Sequence, residues 1–230
     1  MTIAEEVLLL AYDNETGRAR TGAAQLTTAL AGAAIVELTL DGALRLTEAD
    51  EPGKKGRLVA TGTESGDPRL AELVAVSDGR KPKDAVRKVG GYGSWRSRSQ
   101  DLRGALLRDL ADAGEIAEVH GTVWKLFPTT AWKPAPGGAK AAVEARVRAA
   151  VLDDTTPDDR TAALISILHA VDLLPKLLPE ADKRAVRSRG KAISEGEWGG
   201  SAVRKAIQEI QAVTIAVLAA TTTAAAGSGS

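Results

Sequence analysis

Residues Ala23–Leu40 run for eighteen positions with a single charge, Glu37, among Ala, Leu, Thr, Ile, Val, Gly and Gln. A helix that is apolar on nearly every side has no solvent face, so this one belongs in the interior, and the rest of the chain must cover it. Aromatic residues make up only 3% of the sequence. The core is therefore expected to be Leu, Val, Ile and Ala, which favours helices packed closely over small side chains.

The flanking segments read as that cover. Thr2 and Glu5 stand at capping-box spacing before the apolar run 7–10, which breaks at Asp13-Asn14-Glu15-Thr16-Gly17. Asp41-Gly42 closes the central helix, and 43–46 pairs with 57–61 as a hairpin. Asp67-Pro68 and Lys81-Pro82 open two short helices, and Gly90-Gly91-Tyr92-Gly93 is a flexible connection. Leu102, Leu106 and Leu110 recur every four residues over 94–113, an amphipathic helix with Gly114 as its stop. Residues 115–119 and 122–127 flank His120-Gly121 as a second hairpin ending at Pro128, so helix plus hairpin resembles a winged-helix unit. Beyond a linker at 133–138, helices are expected over 139–152, 158–174, 180–193 and 201–220, punctuated by Pro157, Pro175 and Pro179. The helix after Asp158 is too apolar to stand alone. The fold class is mainly α: one compact helical domain over 1–222 around a central apolar bundle with two short β-hairpins, then a disordered tail over 223–230.

Thirty basic residues balance thirty acidic ones, so any anion site must be local rather than the product of an overall positive field. The absence of Cys excludes disulfides, thiolate metal sites and cysteine nucleophiles and favours an intracellular setting. Glu5 and Glu6 precede the first apolar run without a basic segment, which argues against a secretory signal. The uncharged run 210–230 loses its large apolar residues after Leu218 and reads as a buried helix and a loose tail rather than a membrane span.

No phosphate-binding, dinucleotide-binding, zinc-protease or serine-hydrolase motif is present, and two His without Cys assemble few catalytic or zinc sites. His169 precedes Asp172 by one turn, but no nucleophile accompanies the pair, and a hydrogen-bonded core histidine is the expectation. Asp153, Asp154, Asp158 and Asp159 lack the glycine-bearing spacing of a calcium loop and are expected to cap and solvate. The Gly90-Gly91-Tyr92-Gly93 run has no strand and lysine context for a nucleotide.

A series of segments carries a resemblance. It comprises Ala4-Glu5-Glu6-Val7-Leu8-Leu9-Leu10, then Asp13-Asn14-Glu15-Thr16-Gly17, then Leu30-Ala31-Gly32-Ala33-Ala34-Ile35-Val36-Glu37-Leu38-Thr39-Leu40-Asp41-Gly42. It continues with Asp109-Leu110-Ala111-Asp112-Ala113-Gly114, Thr129-Thr130, Ala150-Val151-Leu152, Asp159-Arg160, Ala163-Leu164-Ile165 and Leu168-His169-Ala170-Val171-Asp172-Leu173-Leu174. In this order and spacing, to about residue 220, the chain resembles the Golgi phosphoprotein 3 family. The Ala, Gly and Arg-rich composition points to a bacterial, actinobacterial-like member. The resemblance implies a helical domain with a flat membrane-docking face, a pocket for phosphatidylinositol 4-phosphate and a hairpin for membrane insertion or self-association. Eukaryotic relatives also bind cytosolic tails of Golgi glycosyltransferases. Carried over by position, the pocket Trp falls at Gly22 and the Arg of the next helix at Ala31. Of two Arg on the later helix, one falls at Gln100 and the other matches Arg103.

Trp95-Arg96-Ser97-Arg98-Ser99-Gln100-Asp101-Leu102-Arg103 places three guanidinium groups at the start of a helix, where free N–H groups and the dipole favour an anion. Arginine adds a planar fork suited to phosphate. The head-group site is expected at Arg103, Arg98 and Arg96, with Arg18 and Arg20 after the Gly17 turn as a second wall. Membrane contact is expected from Trp124 and Val123 in the second hairpin and from Trp95. The resulting expectation is a non-enzymatic, cofactor-free, cytoplasmic protein peripherally bound to anionic lipid. Its other partners would be proteins or a second copy through the hairpin, and no nucleic acid. The alternative is an interaction scaffold of the same fold that has lost lipid recognition. A third reading takes 94–127 as a nucleic-acid module, against which the zero net charge counts.

Overall fold

Helix α1 (Ile3–Ala11) starts where a capping box closes its first turn. Thr2 Oγ1 accepts from the Glu5 amide at 3.2 Å, and the Glu5 carboxylate accepts from the Thr2 amide at 2.6 Å. All nine residues are buried, because α1 lies against α2 (Ala23–Leu40), the apolar cylinder expected from the sequence. The structure, a computed structural model, describes residues 1–47, 51, 55–91, 98–123, 127–196, 205, 207–212, 215 and 216. The side chains of 98–101 and 121–129 are outside that description.

Helix α2 is long and apolar enough to cross a bilayer, yet 72% of it is buried by the other elements, so it serves as the core helix. Three carboxylates are buried with it. Glu5 pairs with Arg69 at 2.8 Å, Glu6 with Arg146 at 2.9 Å and Glu37 with Arg160 at 2.7 Å. The Ile3 amide also donates to Glu37 at 2.7 Å. Charges buried in a helical core must be paired, and here the pairs tie α1 and α2 to the surrounding helices.

Around this centre, β1 (Leu44–Leu46) and β2 (Leu58–Ala60) form the first hairpin, with Leu46 opposite Leu58. Asp67 caps α3 (Pro68–Ser77) by accepting from the Arg69 amide at 2.9 Å, and α4 (Pro82–Val89) follows with proline in its first turn. Helix α5 (Arg98–Asp112) ends in paired bonds from Gly114 to the Ala111 carbonyl and from Glu115 to the Leu110 carbonyl, at 2.9 and 2.8 Å.

The second hairpin corrects the sequence expectation. Strands β3 (Ile116–Val123) and β4 (Phe127–Pro134) have eight residues each, and His120 and Gly121 lie within β3, opposite Thr130 and Thr129. The run Thr129-Thr130-Ala131-Trp132 is rich in β-branched and aromatic residues and extends the pairing to Pro134, so the expected linker at 133–138 shortens to 135–138.

Four further helices close the bundle: α6 (Ala139–Leu152), α7 (Asp159–Ala170), α8 (Leu174–Leu177) and α9 (Lys183–Glu195). The stretch expected as one helix to 174 breaks because Asp172 takes a left-handed conformation, φ 52°, as the Leu173 amide bonds the Leu168 carbonyl at 2.9 Å. Pro175 cannot continue α7 and opens α8 instead. Residues 207–212 are helical, with Ile207 and Ile210 fully buried, as expected for a C-terminal helix. The remainder of that helix and the tail at 223–230 lie outside the described residues.

Candidate functional site

The loop between α1 and α2 is built as a rigid ledge. Asp13 Oδ1 accepts from the amides of Glu15 and Thr16, at 3.1 and 2.8 Å, and from the Thr16 hydroxyl at 2.9 Å. Those bonds, led by the Thr16 amide, hold the Asp13 carboxyl below the usual carboxylate range. The chain then doubles back: the Asp13 amide meets the Arg18 carbonyl at 3.0 Å, Tyr12 bridges Ala19, and the Arg20 amide meets the Ala11 carbonyl at 2.7 Å.

Two outside elements clamp the ledge. Gly17, φ 64°, presses on β4, where its carbonyl accepts from the Trp132 amide at 2.8 Å. A Cβ at Gly17 would stand 2.9 Å from Lys133 Cγ and 3.1 Å from the Trp132 nitrogen. From α6 the buried Lys140 donates to the Tyr12 carbonyl and to Asn14 Oδ1, and Glu144 lies 3.5 Å from its ammonium. Burial pushes the Lys140 ammonium below its usual pKa.

Against this ledge stands Arg103 of α5. Its guanidinium lies 5.9 Å from the centroid of the Tyr12 ring, and Nη2 donates to the Tyr12 hydroxyl. The buried Nε has no partner, and no carboxylate pairs with Arg103 among the described residues. A guanidinium offers five N–H donors, of which Tyr12 takes one. Among the described residues, Arg103 is thus a half-buried cation with free donors and no counter-ion, an arrangement suited to an anion.

The remaining expected residues are placed differently. Arg20 donates to the Lys176 carbonyl at 2.7 Å and to Asp13 Oδ2 at 3.1 Å, while Lys176 Nζ returns a bond to the Arg20 carbonyl at 2.9 Å. It is a strut between the ledge and α8, facing a cavity of about 380 Å³ that also holds Arg148, Glu144 and Glu180. Arg148 and Glu180 pair with each other, so acidic groups match the basic ones there. Arg18 is exposed and has no side-chain partner among the described residues. Ala31 is fully buried in α2, and Gly22 is the N-cap of that helix. Arg98 opens α5 and Val123 ends β3, but their side chains, with that of Gln100, lie outside the described residues, as do Trp95, Arg96 and Trp124 entirely.

Sequence reasoning missed Tyr12 and Lys140. Tyr12 follows an apolar run, and Lys140 stands in an ordinary amphipathic helix, so neither carries a local signal.

The other candidates resolve into packing. Asp172 bonds Arg187 at 2.8 and 3.0 Å rather than His169, and no side-chain hydrogen bond reaches His169 among the described residues. The expected hydrogen-bonded histidine is instead a half-buried ring against Gly190, 3.1 Å from the Cβ position there, with its pKa lowered by burial. Asp158 caps α7 and Asp154 pairs with Arg189 at 2.7 Å. Among the described residues, no group of three or more His, Cys, Asp or Glu is arranged to hold a metal ion.

Set against known families, the sequence matches the model of Golgi phosphoprotein 3 (GPP34) over residues 3–210. No curated protein matches it.

Proposed function

Because the chain belongs to the Golgi phosphoprotein 3 family, we propose that it is a peripheral membrane adaptor that binds phosphorylated lipid head groups, phosphatidylinositol 4-phosphate first among them, and catalyses no reaction. One observation carries the reading: the half-buried guanidinium of Arg103, stacked on Tyr12, with a buried Nε unpartnered and no carboxylate beside it among the described residues. A phosphate oxygen on the remaining Nη donors would neutralise the charge of the guanidinium. Arg18 is the nearest expected second cation in sequence on the ledge, and Arg20 holds that ledge in place rather than meeting the lipid. Each basic side chain near an anionic leaflet contributes about 1 kcal/mol, so attachment is weak, reversible and salt-sensitive, on the cytoplasmic face.

Sedimentation of the protein with phosphatidylcholine vesicles, with and without phosphatidylinositol 4-phosphate, tests this. Recovery should rise with the phosphoinositide and fall with added salt; equal, salt-independent recovery refutes it. The scaffold reading gains from Ala31, buried where the resemblance places an Arg, and from Arg20, an expected cation spent on internal bonds. A defined protein partner in a pull-down, with vesicles unbound, would favour it.

A further inference from the structure

The Arg103 site leaves a second basic surface unused. Residues 80–88 hold Arg80, Lys81, Lys83, Arg87 and Lys88 against Asp84, five positive charges minus one, a local excess of +4 in a chain of zero net charge. Helix α4 turns Pro82, Ala85, Val86 and Val89 into the core and leaves Lys81, Lys83, Arg87 and Lys88 exposed. Arg80 Nε donates to the Val76 carbonyl at 2.7 Å. The other four cations have no side-chain hydrogen bond or ion pair among the described residues.

Helix stability accounts for Asp84, Arg87 and Lys88, which suit the dipole and stand Asp84 four residues before Lys88, but not for the other cations. Lys81 is the N-cap without a side-chain capping bond, and Lys83 lies in the first turn, where the dipole disfavours cations. Lys83 and Arg87 are a like-charge pair at i,i+4, which also disfavours the helix. Arg87 and Lys88 alone occupy the end that the dipole prefers for them.

We propose that the exposed face of α4 is an electrostatic docking surface for an anionic bilayer, resting on lipid charge at large while the Arg103 site holds one phosphorylated head group. The inference rests on the membrane reading above and adds a contact that needs no phosphoinositide. Complementarity of charge is the argument for this occupant. The apolar side of α4 is already buried, so the helix cannot insert and meets a partner through its charges alone. Residues 80–91 contain no aromatic on which a base could stack, which separates the face from a single-strand nucleic-acid platform. Three of the five cations are lysines, mobile point charges suited to a field of head groups rather than to one forked acceptor.

The test compares wild type with a triple variant, Lys83→Gln, Arg87→Gln and Lys88→Gln, on vesicles of phosphatidylcholine with and without phosphatidylserine. A control triple on α9, Lys183→Gln, Arg184→Gln and Lys191→Gln, removes the same charge from exposed sites elsewhere. All six side chains are exposed, so both variants should melt with the wild type. The α4 triple should lose on the order of a hundredfold in partitioning to phosphatidylserine vesicles, and Lys83→Gln alone about fivefold, while the α9 triple stays within about twofold. Equal loss in both triples, wild-type binding by the α4 triple, or no binding of the wild type to phosphatidylserine vesicles each overturns the proposal. Indifference to phosphatidylinositol 4-phosphate with the α4 effect intact would sink the head-group reading and leave this surface standing.

Discussion

Replacing Gly17 by Ala strikes the joint that holds the ledge against the second hairpin. Alanine at φ 64° costs about 1–2 kcal/mol for the left-handed backbone. Its methyl group would also stand 3.1 Å from the Trp132 nitrogen and 2.9 Å from Lys133 Cγ, so the hairpin must retreat. The bond from the Trp132 amide to the Gly17 carbonyl, now 2.8 Å, then lengthens at a cost of about 1 kcal/mol. The sum is roughly 3 kcal/mol, which at this chain length lowers Tm by about 6–12 °C. Gly42→Ala is the internal control, because Gly42 has φ 74° with nothing within 4 Å of a Cβ, so only the backbone cost of about 1–2 kcal/mol applies, about 2–8 °C. Thermal unfolding followed by circular dichroism reads both. Equal melting shifts for the two variants would refute the close-approach argument, and an unchanged Gly17→Ala melt would refute the docking of the hairpin on the ledge altogether.

Arg160→Met should destabilise by about 3 kcal/mol in urea titrations, since it leaves Glu37 without its 2.7 Å cation and strips a second one, 3.7 Å away, from Glu6; a loss under about 1 kcal/mol would count against the buried-charge account. Burial lowers the His169 pKa below its ordinary 6.5, with Asp172, Glu195, Lys191 and Arg187 around it. Between the folded and unfolded pKa values the unfolded chain binds more protons, so stability should fall as pH drops below 6.5 toward the folded value. His169→Gln should flatten unfolding free energy across that window, and an unchanged slope would contradict it. The carboxyls of Asp13, Asp67, Asp158 and Asp172, held below 3.8 by their hydrogen bonds, should add a second acid loss below that value.

The central helix was legible because eighteen residues with one charge admit few placements. The capping box at Thr2 and the cap at Asp67 were legible because their donors and acceptors are neighbours in sequence. The second hairpin was misplaced because glycine beside histidine resembles a turn, whereas the pairing of Ile116 with Pro134 is a long-range property of two eight-residue strands. The candidate site divides similarly. Resemblance singled out Arg103 as a candidate, but its partner Tyr12 lies 91 residues away, and nothing local marks the contact. Arg20 has the same chemistry and the same loop as Arg18, yet the carbonyl of Lys176 engages it from 156 residues away.

The claim that Arg103 takes the head group is tested most directly by Arg103→Gln on vesicles containing phosphatidylinositol 4-phosphate and on phosphatidylserine vesicles of matched charge. The side chain spends one donor on Tyr12, so the variant should melt within about 4 °C of wild type. Its affinity for the phosphoinositide vesicles should fall about tenfold, a charge-assisted contact of roughly 1.4 kcal/mol, with phosphatidylserine binding reduced no more than about fivefold. A variant that keeps the wild-type preference for the phosphoinositide would contradict the assignment.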